Sequence, residues 1–491
     1  MKILFLATYF PRPLNSTIGT WALEQAKALK RNVEKLKAES GNLALDSGRS
    51  AFVAPSGALR VVSGNPWFPK FVGRLRAGIR VYSHCPPKHS WDGVGVNYLP
   101  MLFYPFGKLD SIFNRVGEPM LRLGWWSIER RLMKIVEEFQ PDVVYAHHTV
   151  PNGYFAFRIH KLTGIPFVVT DHEMGEITAC EIFPARRAVY EKVISAAHLM
   201  VSVAGVMRKD MERVFPQARC EVIHNGMNLA PSESRVESRE SRAASMLDTR
   251  NSLQPACEVT KLFHQAANGP EVPKPSTLDS GRSTPLLILS CGMFYERKNF
   301  PGLIQAFNLV AGKYPNVILR ILGDGPERIK LEQTRYNSHF KDRIDLVGKV
   351  GHQEVLKQMW EADIFALIGW REPFATVFLE AMAAGLPVIA CNDGGIAEVI
   401  QSVGIDNPTL DSRLSTLDAA KPNGLLVPPR DISAAARALE FLILNPEARK
   451  QIGKEARQKV EVNLTWDAVA QKYLRIFDEA KMFKKNAHLK V

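Results

Sequence analysis

Residues 370–387 read WREPFATVFLEAMAAGLP, and this stretch decides the architecture. An apolar run at 364–367 precedes it and another, 388–391, follows it, so it lies between two short buried strands. Pro373 cannot continue a preceding helix and suits the first turn of a new one. Residues 376–384 read as that helix, stopped by Gly385 and Pro387. Strand, loop, helix and strand in this order make one unit of a parallel sheet. The free backbone N–H groups near Phe374, Ala375, Thr376 and Val377 would face the carboxyl end of a strand, a natural seat for a diphosphate. Glu372 precedes the helix and Glu380 lies about two turns in. Were the segment fully helical, the two carboxylates would stand roughly 12 Å apart. That is a span from a sugar, past a diphosphate, to a ribose, and it exceeds the roughly 5–9.5 Å of a glycosidase pair.

The same alternation runs along most of the chain. Apolar strand candidates lie at 3–8, 143–146, 167–170 and 200–203 in the first half, and at 286–290, 317–322, 344–347, 364–367 and 388–391 in the second. Fully apolar strands separated by helices imply parallel sheets covered on both faces. Two series in 491 residues imply an α/β chain with two doubly wound domains. Residues 1–229 form the first domain and 286–465 the second. Residues 466–491 form a last helix, near 466–482, that packs back on the first domain. Between the domains, 230–285 is rich in Ser, Arg, Glu and Pro (SESRVESRESRAAS, EVPKPSTLDSGRSTP) and lacks apolar periodicity, so it reads as a low-complexity linker or insertion. The hexapeptide LDSGRS occurs at 45–50 and again at 278–283, and a related run, TLDSRLSTLD, occupies 409–418. These read as inserts near 32–50 and 402–422, in loops that tolerate them.

The formal net charge of +13 favours acidic partners, such as phosphorylated small molecules or anionic lipid. Six cysteines without a CxxC pair exclude a disulfide framework and a zinc site, and fit a reducing, cytoplasmic compartment. The opening MKILFLATYFPRP has too short an apolar run for a signal peptide and reads as a buried first strand. No apolar stretch reaches the roughly 18–20 residues that span a bilayer. No G-x-G-x-x-G follows a strand, which excludes a dehydrogenase, and no nucleic-acid motif appears.

Residues 372–390, EPFATVFLEAMAAGLPVIA, followed by Asn392-Asp393-Gly394-Gly395, resemble the E-x7-E signature of glycosyltransferase family 4. CGMFYERK at 291–298 resembles that family's first loop of the C-terminal domain. LGDGP at 322–326 resembles its G-x-G-P turn, VGKV at 347–350 its base-contacting strand end, and NGLLV at 423–427 a late turn. IHNGMN at 223–228 resembles its I-P-N-G-x-D motif. The resemblance implies the GT-B fold, two Rossmann-like domains facing each other across a cleft. It implies a retaining transferase that uses a nucleoside-diphosphate sugar as co-substrate, with no metal and no other cofactor. Lys298 would neutralise the phosphates, Glu380 would bind the ribose and Glu372 the sugar hydroxyls. Backbone groups after Phe374 would hold phosphate, and Val350 would border the base. The family's Arg in the first loop is Met293 here, with Arg297 the nearest substitute, and Pro373 and Ala375 replace its glycines.

In the first half, Gly19 resembles one of the paired glycines near the donor phosphates, before a helix starting near Trp21. His172, in VVTDHE at 168–173, resembles the family's histidine beside the reacting sugar. His147 and His148 end the preceding strand, and strand alternation lets only one of them face the cleft. FPKFVGRLRAGIR at 68–80, and Trp125, Trp126, Arg130, Arg131 and Lys134, mix aromatic and basic residues suited either to a solvated helix face or to anionic lipid. The expected acceptor is a glycan or a lipid-linked hydroxyl, at the inner face of the membrane. The competing readings are a sugar-nucleotide-binding or membrane-associated module without transferase activity, and a GT-B epimerase or polymerase.

Overall fold

The computed structural model describes residues 1–16, 18–42, 58–75, 77–102, 108–229, 285–402 and 421–488. The linker reading for 230–285 and the LDSGRS-related runs fall almost wholly outside these residues. Two parallel sheets organise the rest.

The N-terminal sheet contains β1 (Ile3–Leu6), β2 (Leu59–Pro66), β3 (Lys88–Trp91), β4 (Val94–Met101), β5 (Val143–His147), β6 (Phe167–Asp171), β7 (Leu199–Ser202) and β8 (Cys220–Val222). Their spatial order is β3-β4-β2-β1-β5-β6-β7-β8. All neighbours are parallel except β3 and β4, which pair antiparallel at the edge. The C-terminal sheet is wholly parallel, in the order β11-β10-β9-β12-β13-β14. Its strands are β9 (Leu286–Cys291), β10 (Val317–Leu322), β11 (Ile344–Gly348), β12 (Ile364–Leu367), β13 (Val388–Cys391) and β14 (Leu425–Val427). Strands such as β1, β6, β12 and β13 are buried along their whole length, because helices cover both faces.

In both sheets the strand order reverses beside the first strand, between β1 and β5 and between β9 and β12. Such a reversal opens a crevice at the carboxyl ends of the two strands, where open α/β sheets bind ligands. The loops after β9 and β12 carry Lys298 and Glu372. Those after β1, β5 and β6 carry Gly19, His148 and His172.

The structure departs from the sequence reading in several places. The insert expected from residue 32 is helical to Asn42, because helix Thr20–Asn42 runs on through good helix formers and buries Val33. Residues 423–427 are not only a turn, since they supply the edge strand β14. The new helix starts at Thr376, so Pro373 stands outside its first turn. Within the segment 68–80, Lys70–Leu75 and Ala77–Ser83 are helical. Trp125 is buried in the core while Trp126 is exposed, so the aromatic pair is split between the two sides of one helix.

The last helix, Trp466–His488, crosses back to the N-terminal lobe and packs along helix Thr20–Asn42. Its Tyr473, Ile476, Phe477 and Ala480 are buried in one apolar cluster with Phe5 and Tyr145 of the N-terminal sheet. Phe477 lies 5.1 Å from Tyr145, ring centre to ring centre. Tyr473 Oη is 3.0 Å from Thr170 Oγ1. The helix is thus part of that lobe's core. Phe477→Ala should cost about 3–5 kcal/mol. Urea denaturation followed through the N-terminal lobe should show a lower midpoint; an unchanged midpoint would refute this assignment.

Candidate active site

The donor-side site assembles from two loops of the C-terminal sheet. After β9 the chain makes a short turn, Glu296–Lys298, that starts the helix Phe300–Ala311. Gly323, just after β10, lets the start of the loop after β9 pass close by, because a Cβ there would overlap the Gly292 carbonyl oxygen. After β12, Trp370 N donates to Arg297 O at 2.9 Å and laces the second loop to the first.

Three side chains meet where the loops touch. Lys298 Nζ donates to Glu372 Oε2 at 3.0 Å, with the Glu372 side chain buried and that of Lys298 largely covered. Arg297 Nε lies 3.2 Å from Glu372 Oε1. That approach makes an ion pair but not a hydrogen bond, so Oε1 remains a buried acceptor without a hydrogen-bond donor. Glu372 is only 5% exposed, and its charge is tolerable there because two cations compensate it. Arg297, the nearest substitute for the first-loop arginine, thus pairs with Glu372, while Met293 is exposed.

Phe374 and Ala375 are buried, and Ala375 is the N-cap of helix Thr376–Ala383. No side chain caps that helix start, so its first amides, at Thr376 and Val377, are available to an anion. Residues 372–375 are not helical, so helix rise does not set the Glu372–Glu380 spacing. Glu380 lies within the helix with little of its side chain exposed, and its Oε1 is 3.2 Å from His352 Nε2. The same carboxylate, after burial, helps push the Cys291 thiol up to about 12. His352 opens the helix His352–Glu361, two residues after the half-buried Val350. Sequence reasoning missed His352, although it follows the VGKV motif directly.

The N-terminal lobe brings together a different set. Gly19 takes φ +72° beside Tyr9 and closes the turn into helix Thr20–Asn42. Two residues on, Trp21 stacks on His147 with ring centres 4.8 Å apart and touches His172 at 4.3 Å. His172 also lies 4.8 Å from His147 and 5.4 Å from His148. Both strand-end histidines thus face His172, contrary to the alternation argument. β5 stops at His147, and His148 takes φ +67°, which turns it back to the same side. Burial holds all three imidazoles below their ordinary value, His148 at about 4. His147 Nδ1, His148 Nε2 and His172 Nε2 are buried without a hydrogen-bond partner. Trp21 was not singled out as a site residue, because a tryptophan in a first helical turn is an ordinary core residue by pattern.

The two clusters are therefore unlike. One is cationic and the other is polar and uncharged. Lys298, Arg297 and Glu372 meet in one, next to the amides after Phe374. Gly19 and His172 belong to the other, through Trp21.

Comparisons with known proteins agree with this division. A model of glycosyl transferases group 1 matches residues 279–459, and one of Glycosyltransferase Family 4 matches residues 97–230. Glycogen synthase of Mycobacterium tuberculosis is 26% identical over 375 residues, 74% of this chain and 75% of that protein. A phosphatidylinositol N-acetylglucosaminyltransferase protein from Arabidopsis thaliana is 24% identical over 335 residues, 68% of this chain and 65% of that protein. Among solved structures, sucrose-phosphate synthase from Thermosynechococcus elongatus aligns with a TM-score of 0.61 at 16% identity, over 98% of both chains. Anabaena HepE in complex with UDP and glucose aligns at 0.57 and 15%, over 97% of this chain and 99% of that one. At such identities the structural likeness speaks for the fold alone. With one family model on each lobe and this architecture beneath them, the chain belongs to glycosyltransferase family 4 and has the GT-B fold.

Proposed function

We propose that this chain transfers a sugar from a nucleoside-diphosphate sugar to a hydroxyl acceptor, with retention of configuration and without a metal. The observation that carries the reading is the convergence of Lys298 and Arg297 on buried Glu372, beside an uncapped helix start.

In glycosyl transfer the bond from C1 of the sugar to the diphosphate oxygen breaks, and negative charge develops on the leaving group. Stabilising that charge is the main catalytic demand. Lys298, Arg297 and the amides of Thr376 and Val377 supply positive potential for it. Glu372 Oε1, buried without a hydrogen-bond donor, accepts from a sugar hydroxyl. Glu380 receives the ribose hydroxyls and Val350 borders the base, with Gly19 approaching the phosphates from the other lobe. His172, held neutral by burial, hydrogen-bonds at the sugar without adding charge. The acceptor hydroxyl attacks from the face that the diphosphate leaves, and a donor phosphate oxygen takes its proton, so no protein base is required. HepE's binding of UDP makes UDP the first nucleotide to test.

The acceptor is a glycan or a lipid-linked hydroxyl. The N-terminal lobe supports the second choice with one surface. Trp67 N bonds to Met101 O, and Leu102 N to Ser127 Oγ, so exposed Trp67, Leu102 and Trp126 lie near one another. Phe71, Lys70 and Arg74 are exposed on the adjoining helix, and Arg130 follows Trp126 by one helical turn. Aromatic and basic groups together suit the anionic inner face of a membrane. No helix among the described residues is long and apolar enough to cross a membrane.

Calorimetry should detect UDP binding, with GDP and ADP as comparisons. Lys298→Ala should weaken it about 10–100-fold through loss of a charge-assisted contact. Binding of none of the three would sink the reading, and an inverted anomer in the product by NMR would remove retention. The hydrogen bond to Glu380 raises the His352 pKa above the ordinary 6.5, against a smaller opposing effect of burial. Protonated His352 competes with ribose for Glu380, so UDP affinity should rise as pH rises through that pKa. From about pH 6 to about pH 8 the Kd should fall several-fold, and His352→Asn should flatten the profile; parallel profiles would exclude the competition. Vesicles containing phosphatidylglycerol should sediment with the protein, and Phe71→Ser with Trp126→Ser should release it; equal sedimentation would assign that surface no role.

A further inference from the structure

The loop that carries Glu372 is braced from the other lobe. β7 ends at Ser202, and the helix Gly205–Val214 begins just after it, with Ala204 as an N-cap that offers no side-chain acceptor. The missing acceptor comes from the C-terminal lobe. Glu398, at the end of the turn Gly395–Glu398 after β13, accepts from Gly205 N at 2.7 and 2.8 Å with its two oxygens. Val206 N donates to the same carboxylate at 3.3 Å. A charged acceptor at a helix N-terminus satisfies free amides and meets the positive end of the dipole.

The same turn holds the donor loop. Gly395 N donates to Glu372 O at 2.9 Å. A Cβ at Gly395 would overlap the Pro373 carbonyl oxygen and come within 2.6 Å of the Ala204 methyl, so only glycine fits between the lobes here. On the other flank, His224 donates through Nδ1 to Val203 O at 2.9 Å and lies 3.8 Å from Glu398. Its ring stacks on Phe374, with centres 5.0 Å apart and planes 10° from parallel. Residues 372–375 thus contact both the C-terminal turn and the N-terminal lobe, immediately before the helix start proposed to receive the diphosphate.

We propose that Glu398, assisted by His224, is a positioning residue for the donor phosphates. It fixes one lobe against the other and thereby fixes the loop that carries Glu372 and Phe374. The inference rests on the donor site proposed above and adds two residues outside it. It also assigns the GGIAE turn a task that reaches across the lobes.

The test uses the full chain and the variants Glu398→Ala and Glu398→Gln, the second keeping shape and one carbonyl acceptor. Amide hydrogen exchange without ligand should rise at residues 204–208 and also at 372–379. UDP should bind Glu398→Ala about tenfold more weakly, with Glu398→Gln intermediate, while uridine, which lacks phosphates, should bind all forms alike. Faster exchange confined to 204–208 would overturn the proposal. So would an unchanged Kd for UDP in a variant with the wild-type Tm. If Glu398→Ala fails to fold, Glu398→Gln carries both readouts. Failure of the wild type to bind UDP, GDP or ADP would instead sink the donor site, and the exchange experiment would still decide whether Glu398 holds the loop.

Discussion

A carboxylate buried between two cations is the constraint around which the site is built. Removing Glu372 from water is costly, and it is tolerated because Lys298 and Arg297 approach it from a loop of another strand. Those partners are available only if the loops after β9 and β12 lie side by side. The strand order makes them neighbours, since β9 and β12 are adjacent although the intervening chain forms two outer strands. Backbone contacts then fix the approach, with Trp370 N on Arg297 O and Gly369 so close that a Cβ there would come within 2.8 Å of the same carbonyl oxygen. Two positive groups against one negative leave a residual positive charge. That balance suits an anionic ligand better than either a neutral pair or a bare cation would.

The opposite lobe obeys a complementary rule. Its three histidines sit at strand ends around Trp21, and burial keeps them uncharged. A cationic cluster there would compete for a diphosphate, whereas neutral imidazoles give hydrogen bonds without that competition. The hydrogen-bonded support behind His147 is also uncharged. His147 Nε2 is 3.0 Å from Tyr145 Oη, which contacts Gln25 and Thr170, and Thr170 in turn meets Tyr473 of the last helix. Charge is thus segregated, cations on one side of the crevice and neutral polar rings on the other.

How much of this was legible follows from what each residue's neighbours are. Strands buried on both faces announce themselves as apolar runs, and 317–322, 364–367 and 388–391 match the observed strands residue for residue. β2, β3 and β4 were missed, because Ser63, Gly64, Asn65 and Pro66, or the exposed edge of β3, break that pattern. Helix 32–42 was missed because a repeat was read where amphipathic spacing, with Val33 buried, should have been weighed. That Lys298 stands opposite the Glu372 loop was legible from local motifs. Trp21, His352 and Glu398 were not, since each acquires its role from a partner far along the chain. Glu398 and Gly205 are separated by 193 positions.

The lobes are joined at a defined edge, and this limits how they can move. The chain passes between them at 223–229 and returns at 464–466. The two passages touch, with Met227 N donating to Leu464 O at 2.8 Å and Trp466 N to Met227 O at 3.2 Å. The last helix then buries its apolar face in the N-terminal core, so that lobe is built from both ends of the sequence. With the crossings paired, and with Val203, Ala204 and Met207 buried in the apolar cluster of the C-terminal lobe, separation of the lobes would expose that contact, whereas rotation about the crossings would not. Rotation is therefore the inexpensive motion. His224 lies in the first passage and Glu398 beside it, where rotation displaces atoms least. A brace there can persist while the crevice farther out changes width, and it keeps the Glu372 loop in register with the N-terminal lobe as it does so.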